Sequence, residues 1–203
     1  MAGYRGQAPR TQASRARRGL VVLGILTAVL WGIQIVNVST GLELNFLLGN
    51  IPRSLYGLDG IIFSPLLHAD FSHLLSNNLP LVVLGFLVFL EGVRRFVAVL
   101  ASSWLVSGVG VWLTGAGLTV GSSGLVFGFL MYLLVRGFYN RSWKQILLAV
   151  VIFMFYGSVL WGVLPTPGSG ISWQAHFFGA AGGVLAAVLL RKDSRRRNSR
   201  AGS

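Results

Sequence analysis

The chain has 203 residues, of which 54% are apolar and only 11% charged, with 27 glycines and no cysteine. Soluble domains carry about 25% charged residues, so this composition excludes a disordered chain and a disulfide-stapled module, and argues against a soluble globule. The formal charge of +12, from 17 Lys and Arg against 5 Asp and Glu, is either a nucleic-acid signal or a record of membrane topology, and the positions of the charges decide between them.

Residues 1–19 form a basic, polar arm expected to be disordered. Six apolar stretches follow, at 20–38, 74–90, 96–113, 118–135, 146–163 and 175–190. Each has about the length that crosses a ~30 Å hydrocarbon core. Backbone in lipid must satisfy its own hydrogen bonds, which makes these stretches helices, and the absence of period-2 alternation disfavours a membrane β-barrel. The fourth and sixth are interrupted at their starts by Gly, Ser and His. The first is too long for a signal-peptide core and lacks a small-residue cleavage signal, so it reads as a signal anchor. The Arg-rich start loosely resembles a mitochondrial transit peptide, a reading disfavoured by inner loops that are just as basic. Residues 39–72 are long for a connection between neighbouring helices. They contain Phe46, Leu47, Leu48, Ile61, Ile62 and Phe63, and are expected to form a structured, partly membrane-embedded loop. Pro80 falls near the start of the second span, where proline is better tolerated than mid-helix. Residues 191–203 close the chain as a second basic arm. The organisation is therefore 1–19 arm, 20–190 six-helix domain and 191–203 tail, with no internal repeat.

With the N-terminus inside and the spans alternating, Arg5, Arg10, Arg15, Arg17 and Arg18 lie inside, as do Arg94, Arg95, Arg136, Arg141 and Lys144. Arg191, Lys192, Arg195, Arg196, Arg197 and Arg200 complete the inner set, so 16 of the 17 basic residues share one side and only Arg53 lies outside. This positive-inside pattern places both termini in the cytoplasm and requires an even number of spans. It also accounts for the charge without nucleic acid.

Spans two, four and six then begin at the same outer level. Span two begins with Ser72, His73, Ser76, Asn77 and Asn78, span four with Gly121, Ser122, Ser123 and Gly124, and span six with Gln174 and His176. Strongly polar groups at membrane depth are costly and face the bundle interior, so three such ends can meet in one cavity. A serine and a histidine in hydrogen-bond reach form a nucleophile and its base. Ser123 opens a helix, where free N–H groups and the positive helix end suit a developing oxyanion. His73 and Asn77, four apart, share a helix face and can both donate to it. No carboxylate lies nearby in these spans, so the set is a Ser–His dyad rather than a triad. Gly124 and Gly128 on span four, and Gly179 and Gly183 on span six, are small-xxx-small pairs that let helices approach closely. Each feature alone has a plainer reading: Gly-Ser-Ser-Gly as a flexible turn, His176 as an interfacial hydrogen bonder, His73 and Asn77 as ties to the loop. His68 reads as structural. His68 and His73 lie five apart, a poor spacing for metal ligands, and no metal or other cofactor is expected. The joint occurrence at one depth is what points to a site.

These motifs resemble those of the rhomboid intramembrane serine proteases over about residues 20–190. The likeness rests on six spans, a long first outer loop, His-x-x-x-Asn at His73–Asn77, Gly-x-Ser-Gly at Gly121–Gly124, and Ala-His-x-x-Gly-x-x-x-Gly at Ala175–Gly183. The resemblance implies an all-α polytopic bundle of the minimal bacterial type. It implies Ser123 as nucleophile, His176 as general base, and His73, Asn77 and the Ser123 amide as oxyanion site. It further implies Phe127 as an aromatic packed against His176 and Glu91 as a recurrent acidic position. Two departures stand out. The Trp-Arg pair of many members is replaced in the first loop by Leu58-Asp59-Gly60, and an upstream histidine by Ser64.

The function expected is hydrolysis of a peptide bond in or near a transmembrane segment of a single-span or polytopic membrane protein. The enzyme would sit in the bacterial plasma membrane with its site open to the outer side. Spans two and five and the loop before span six are gate candidates, the last on account of Gly157, Gly162, Pro165, Pro167, Gly168 and Gly170. The main rival is a catalytically inactive rhomboid-like factor that binds membrane clients. A small transporter is a weaker one, lacking deep charges or inverted repeats.

Overall fold

The computed structural model describes residues 12–165 and 170–201, with side chains through residue 191. The described residues form eight helices: α1 Gln12–Ser39, α2 Glu43–Leu48, α3 Gly60–Phe63, α4 Phe71–Phe89, α5 Val93–Thr114, α6 Ser123–Asn140, α7 Trp143–Tyr156 and α8 Trp173–Ala201; the short α2 and α3 lie within the 39–72 connection. Single 3₁₀ turns lie at Leu55–Gly57 and Ser64–Leu66, and a longer 3₁₀ segment, Gly157–Val163, extends α7.

Five helical segments are long and apolar enough to cross a membrane, namely α1, α4, α5, α7 with its 3₁₀ extension, and α8 as far as Arg191. The sixth expected span, α6, is not among them. It begins at Ser123 rather than 118, because residues 118–122 are drawn into an antiparallel bridge in which Asn50 and Thr119 exchange hydrogen bonds of 2.9 and 3.0 Å. It is also the helix most enclosed by protein: Gly124 through Leu130 are all buried. A helix wrapped by its neighbours does not need the hydropathy of one facing lipid. The outward faces of the peripheral helices carry exposed Val21, Ile25, Leu79, Val97, Phe153 and Met154, the inverse of a soluble surface.

Helix α1 begins at Gln12 and α8 runs on to Ala201; the rest of the two expected arms, residues 1–11 and 202–203, lies outside the described residues. Pro80 sits well inside α4 rather than near its start. Apolar helices tolerate this when neighbours re-satisfy the freed carbonyl.

Helix α8 packs along α6 and α5. A Cβ placed on Gly179 would run into the Gly124 backbone, and one on Gly183 into the Gly128 backbone, so both small-xxx-small pairs form one interface at backbone contact. Ser107 Oγ and Ser102 Oγ on α5 donate to the Ala175 and Gly182 carbonyls of α8 at 2.9 and 2.8 Å. The 39–72 connection is structured, as expected, and tied down at several points. Asn50 Nδ2 donates to Gly108 O at 2.9 Å, and Arg53 caps the C-terminus of α5 through the carbonyls of Leu113 and Gly115, where a cation complements the helix dipole. At the far end of the bundle, Glu91 pairs with buried Arg136 and accepts from Tyr132 Oη at 2.9 Å and Arg95 Nη1 at 3.2 Å.

Candidate active site

The starts of α4, α6 and α8 gather at one end of the bundle. Helix α4 is capped by Asp70, whose carboxylate accepts from the His73 amide at 2.7 Å. This cap sets the first turn, which carries His73 and, one turn on, Asn77. The approach to α6 passes beneath them at Gly121, whose φ of +119° requires glycine. A Cβ there would lie 2.9 Å from His73 Nε2 and 3.5 Å from Asn77 Nδ2. His73, Asn77 and Gly121 are therefore in direct contact, two residues before Ser123.

Ser123 is the first residue of α6 and is half-buried. Among the described residues, neither its amide nor that of Gly124 donates to a backbone carbonyl, as befits a helix start. The Asn77 side-chain nitrogen is buried and has no hydrogen-bond partner among the described residues.

His176 stands in the first turn of α8, which Ser172 opens by accepting the Ala175 amide at 3.3 Å. Its ring stacks on Phe127, centroids 4.2 Å apart and planes 9° from parallel, and Phe127 lies one turn beyond Ser123. Its Nδ1 is 2.8 Å from the Gly162 carbonyl. A carbonyl only accepts, so Nδ1 carries the proton and Nε2 keeps its lone pair. At His73 the arrangement is reversed: the Ala69 amide donates to Nδ1 at 3.3 Å, so the proton is on Nε2, the edge next to Gly121. Among the described residues no hydrogen bond joins Ser123 to His176; such contacts are often long before substrate binds.

The structure thus brings His73 and Asn77 against Gly121, two residues before Ser123, stacks His176 on Phe127, one turn after it, and packs Gly179 and Gly183 on Gly124 and Gly128. Two neighbours have contacts that the sequence did not reveal: His68, which reads as structural, and Gly162, named only as part of a gate candidate. His68, fully buried, sets Nε2 3.3 Å from Ser122 Oγ and 3.4 Å from the Ser122 amide, and stands edge-on to His73 at 5.3 Å. Its carbonyl is held by Asn45 Nδ2 at 3.1 Å, and Asn45 in turn accepts from Asn37 at 2.9 Å. Burial, then the neighbouring His73, push the His68 imidazole down to about 3, against a smaller upward pull from Asp70. The second is Gly162, whose carbonyl has no signature in sequence. Ser64, in place of the upstream histidine, accepts the Gly121 amide at 2.9 Å and so supports the same loop by its backbone.

Comparison with known proteins places these features in a family. The Rhomboid domain matches residues 55–193. Uncharacterized proteins of Mycobacterium tuberculosis and Mycobacterium leprae are 39% and 41% identical to this chain, over 95% and 94% of it and 85% and 80% of their own lengths. A Bacillus subtilis protein named "Putative rhomboid protease YdcA" is 33% identical over 65% of this chain and 67% of its own. The chain belongs to the rhomboid family and is an all-helical bacterial membrane protein.

Proposed function

We propose that this protein is an intramembrane serine endopeptidase that uses Ser123 and His176 as a dyad. The observation that carries the reading is the opposite tautomers of two histidines, His73 against Gly121 just before Ser123 and His176 against Phe127 one turn after it. One offers a lone pair, as a base requires, and the other an N–H, as an oxyanion requires.

His176 Nε2 removes the Ser123 proton as Oγ attacks the scissile carbonyl. The tetrahedral oxyanion is held by His73 Nε2–H, the Asn77 amide and the Ser123 N–H. The imidazolium then protonates the leaving amine, and water, activated by the same histidine, hydrolyses the acyl-enzyme. The substrate is a membrane protein whose helix is weak at the cut, because an intact helix hides its carbonyls. The termini are cytoplasmic and the site opens outward.

The test is cleavage of a single-span substrate in proteoliposomes. Ser123→Ala lowers turnover by at least ~10³, and a fluorophosphonate labels the wild type but not the variant. Undiminished cleavage by Ser123→Ala overturns the dyad. Substrate binding without cleavage by the wild type puts the chain among inactive rhomboid-like factors.

A further inference from the structure

We infer that Gly162 is a positioning residue whose main-chain carbonyl fixes His176 as the Nδ1–H tautomer, the part a carboxylate plays in a triad. The inference rests on the Ser–His reading and assigns what orients its base.

Three observations converge on Gly162. Its carbonyl is 2.8 Å from His176 Nδ1, and no Asp or Glu among the described residues bonds His176. Its lack of a side chain is used: a Cβ would lie 3.0 Å from His176 Nδ1 and 3.1 Å from Phe127 Cζ, so the ring is held between Phe127 on one face and the glycine backbone at its edge. Finally, Gly162 belongs to the 3₁₀ segment Gly157–Val163, which has no buried residue and ends a span only 11% buried. The rest of the site stands on α4, α6 and α8, all better anchored. The orienting group of the base is thus mounted on the least anchored wall of the bundle. When that wall moves outward, the imidazole loses its acceptor, and the Nε2 lone pair is no longer guaranteed to face Ser123. A neutral carbonyl also differs from a carboxylate in kind: it selects the tautomer but stabilises the imidazolium only as a dipole does.

The experiment uses the full chain in nanodiscs with ¹⁵N-labelled histidine, His176 being assigned by the signal lost in His176→Gln. Two variants perturb the acceptor. Replacing Val163 by its α-hydroxy acid makes the Gly162 carbonyl that of an ester, a weaker acceptor, and adds no atom near the ring. Gly162→Ala crowds the ring directly. Expected are a protonated Nδ1 in the wild type, a mixture with the Nε2–H form in both variants, and a three- to tenfold fall in kcat with KM unchanged, the share of one net hydrogen bond. A wild-type proton on Nε2, or variants that leave tautomer and kcat alone, overturns the role of Gly162. The readouts separate the two readings: an Nε2–H tautomer with normal fluorophosphonate labelling removes the positioning role and leaves the dyad. An Nδ1–H tautomer without labelling of Ser123 keeps the positioning and removes the dyad.

Discussion

Asn77 shows how much of the site's logic resides in single atoms. Its amide nitrogen is buried with no partner among the described residues, a costly state for a polar group, and a transient oxyanion beside Gly121 would relieve it. Asn77→Ala is expected to lower kcat by ~10²–10³ with little change in KM, since an oxyanion donor acts in the transition state. Steady-state cleavage in proteoliposomes measures it, and an unchanged kcat would leave His73 and the Ser123 amide as the only donors. His68 makes a different prediction. Its imidazole, held at about 3 by burial, is neutral in the folded protein and titrates near 6.5 when unfolded. A depressed histidine contributes stability that is fully present above about pH 6.5 and is lost as pH falls toward 3, because only the unfolded chain gains the proton. The thermal midpoint in detergent should therefore fall between pH 7.5 and pH 5, and His68→Gln should flatten that dependence. An equal fall in the variant would assign the effect to other groups.

At the scale of elements, the α6–α8 seam decides whether Ser123 and His176 face each other at all. Gly179 and Gly183 approach the backbones of Gly124 and Gly128 too closely for any side chain. Gly179→Ala should cost about 1–3 kcal/mol, the usual range for overpacking, whereas Gly24→Ala on α1, where a Cβ meets nothing within 4 Å, should be neutral or stabilising. Thermal unfolding of both in detergent measures the contrast, and equal midpoints would mean the seam can relax. This seam was legible in the sequence because small residues at spacing four on two apolar helices have few other uses. So were the five long apolar helices, and His73, Asn77, Ser123 and His176 stood out as candidates because their polarity is anomalous in a greasy chain. The start of α6 was not, because hydropathy rises at Leu118 while the backbone is still extended. The bridge that holds it there involves Asn50, some 70 residues away. Nor were His68 against Ser122 and the carbonyl of Gly162. The first looked like an ordinary loop histidine, and the second is a main-chain atom that every residue possesses.

For the molecule as a whole, the candidate site and a cluster of basic residues lie at opposite ends. Ser123, His73 and His176 share the end where Arg53 caps α5, while the α4–α5 and α6–α7 turns at the other end carry Arg94, Arg95, Arg141 and Lys144. Glu91 pairs with both Arg136 and Arg95, and one carboxylate leaves a net positive charge at that end. Loops rich in Lys and Arg stay on the cytoplasmic side, so the proposed orientation, with the candidate site facing outward, makes a prediction. The absence of native cysteine makes this directly measurable. Leu118→Cys, exposed near the start of α6, should react with a membrane-impermeant maleimide in intact cells. Lys144→Cys, exposed in the first turn of α7, should react only after the cells are permeabilised. The reverse pattern would place the site on the cytoplasmic face, and substrates would then have to be cut from the inner leaflet.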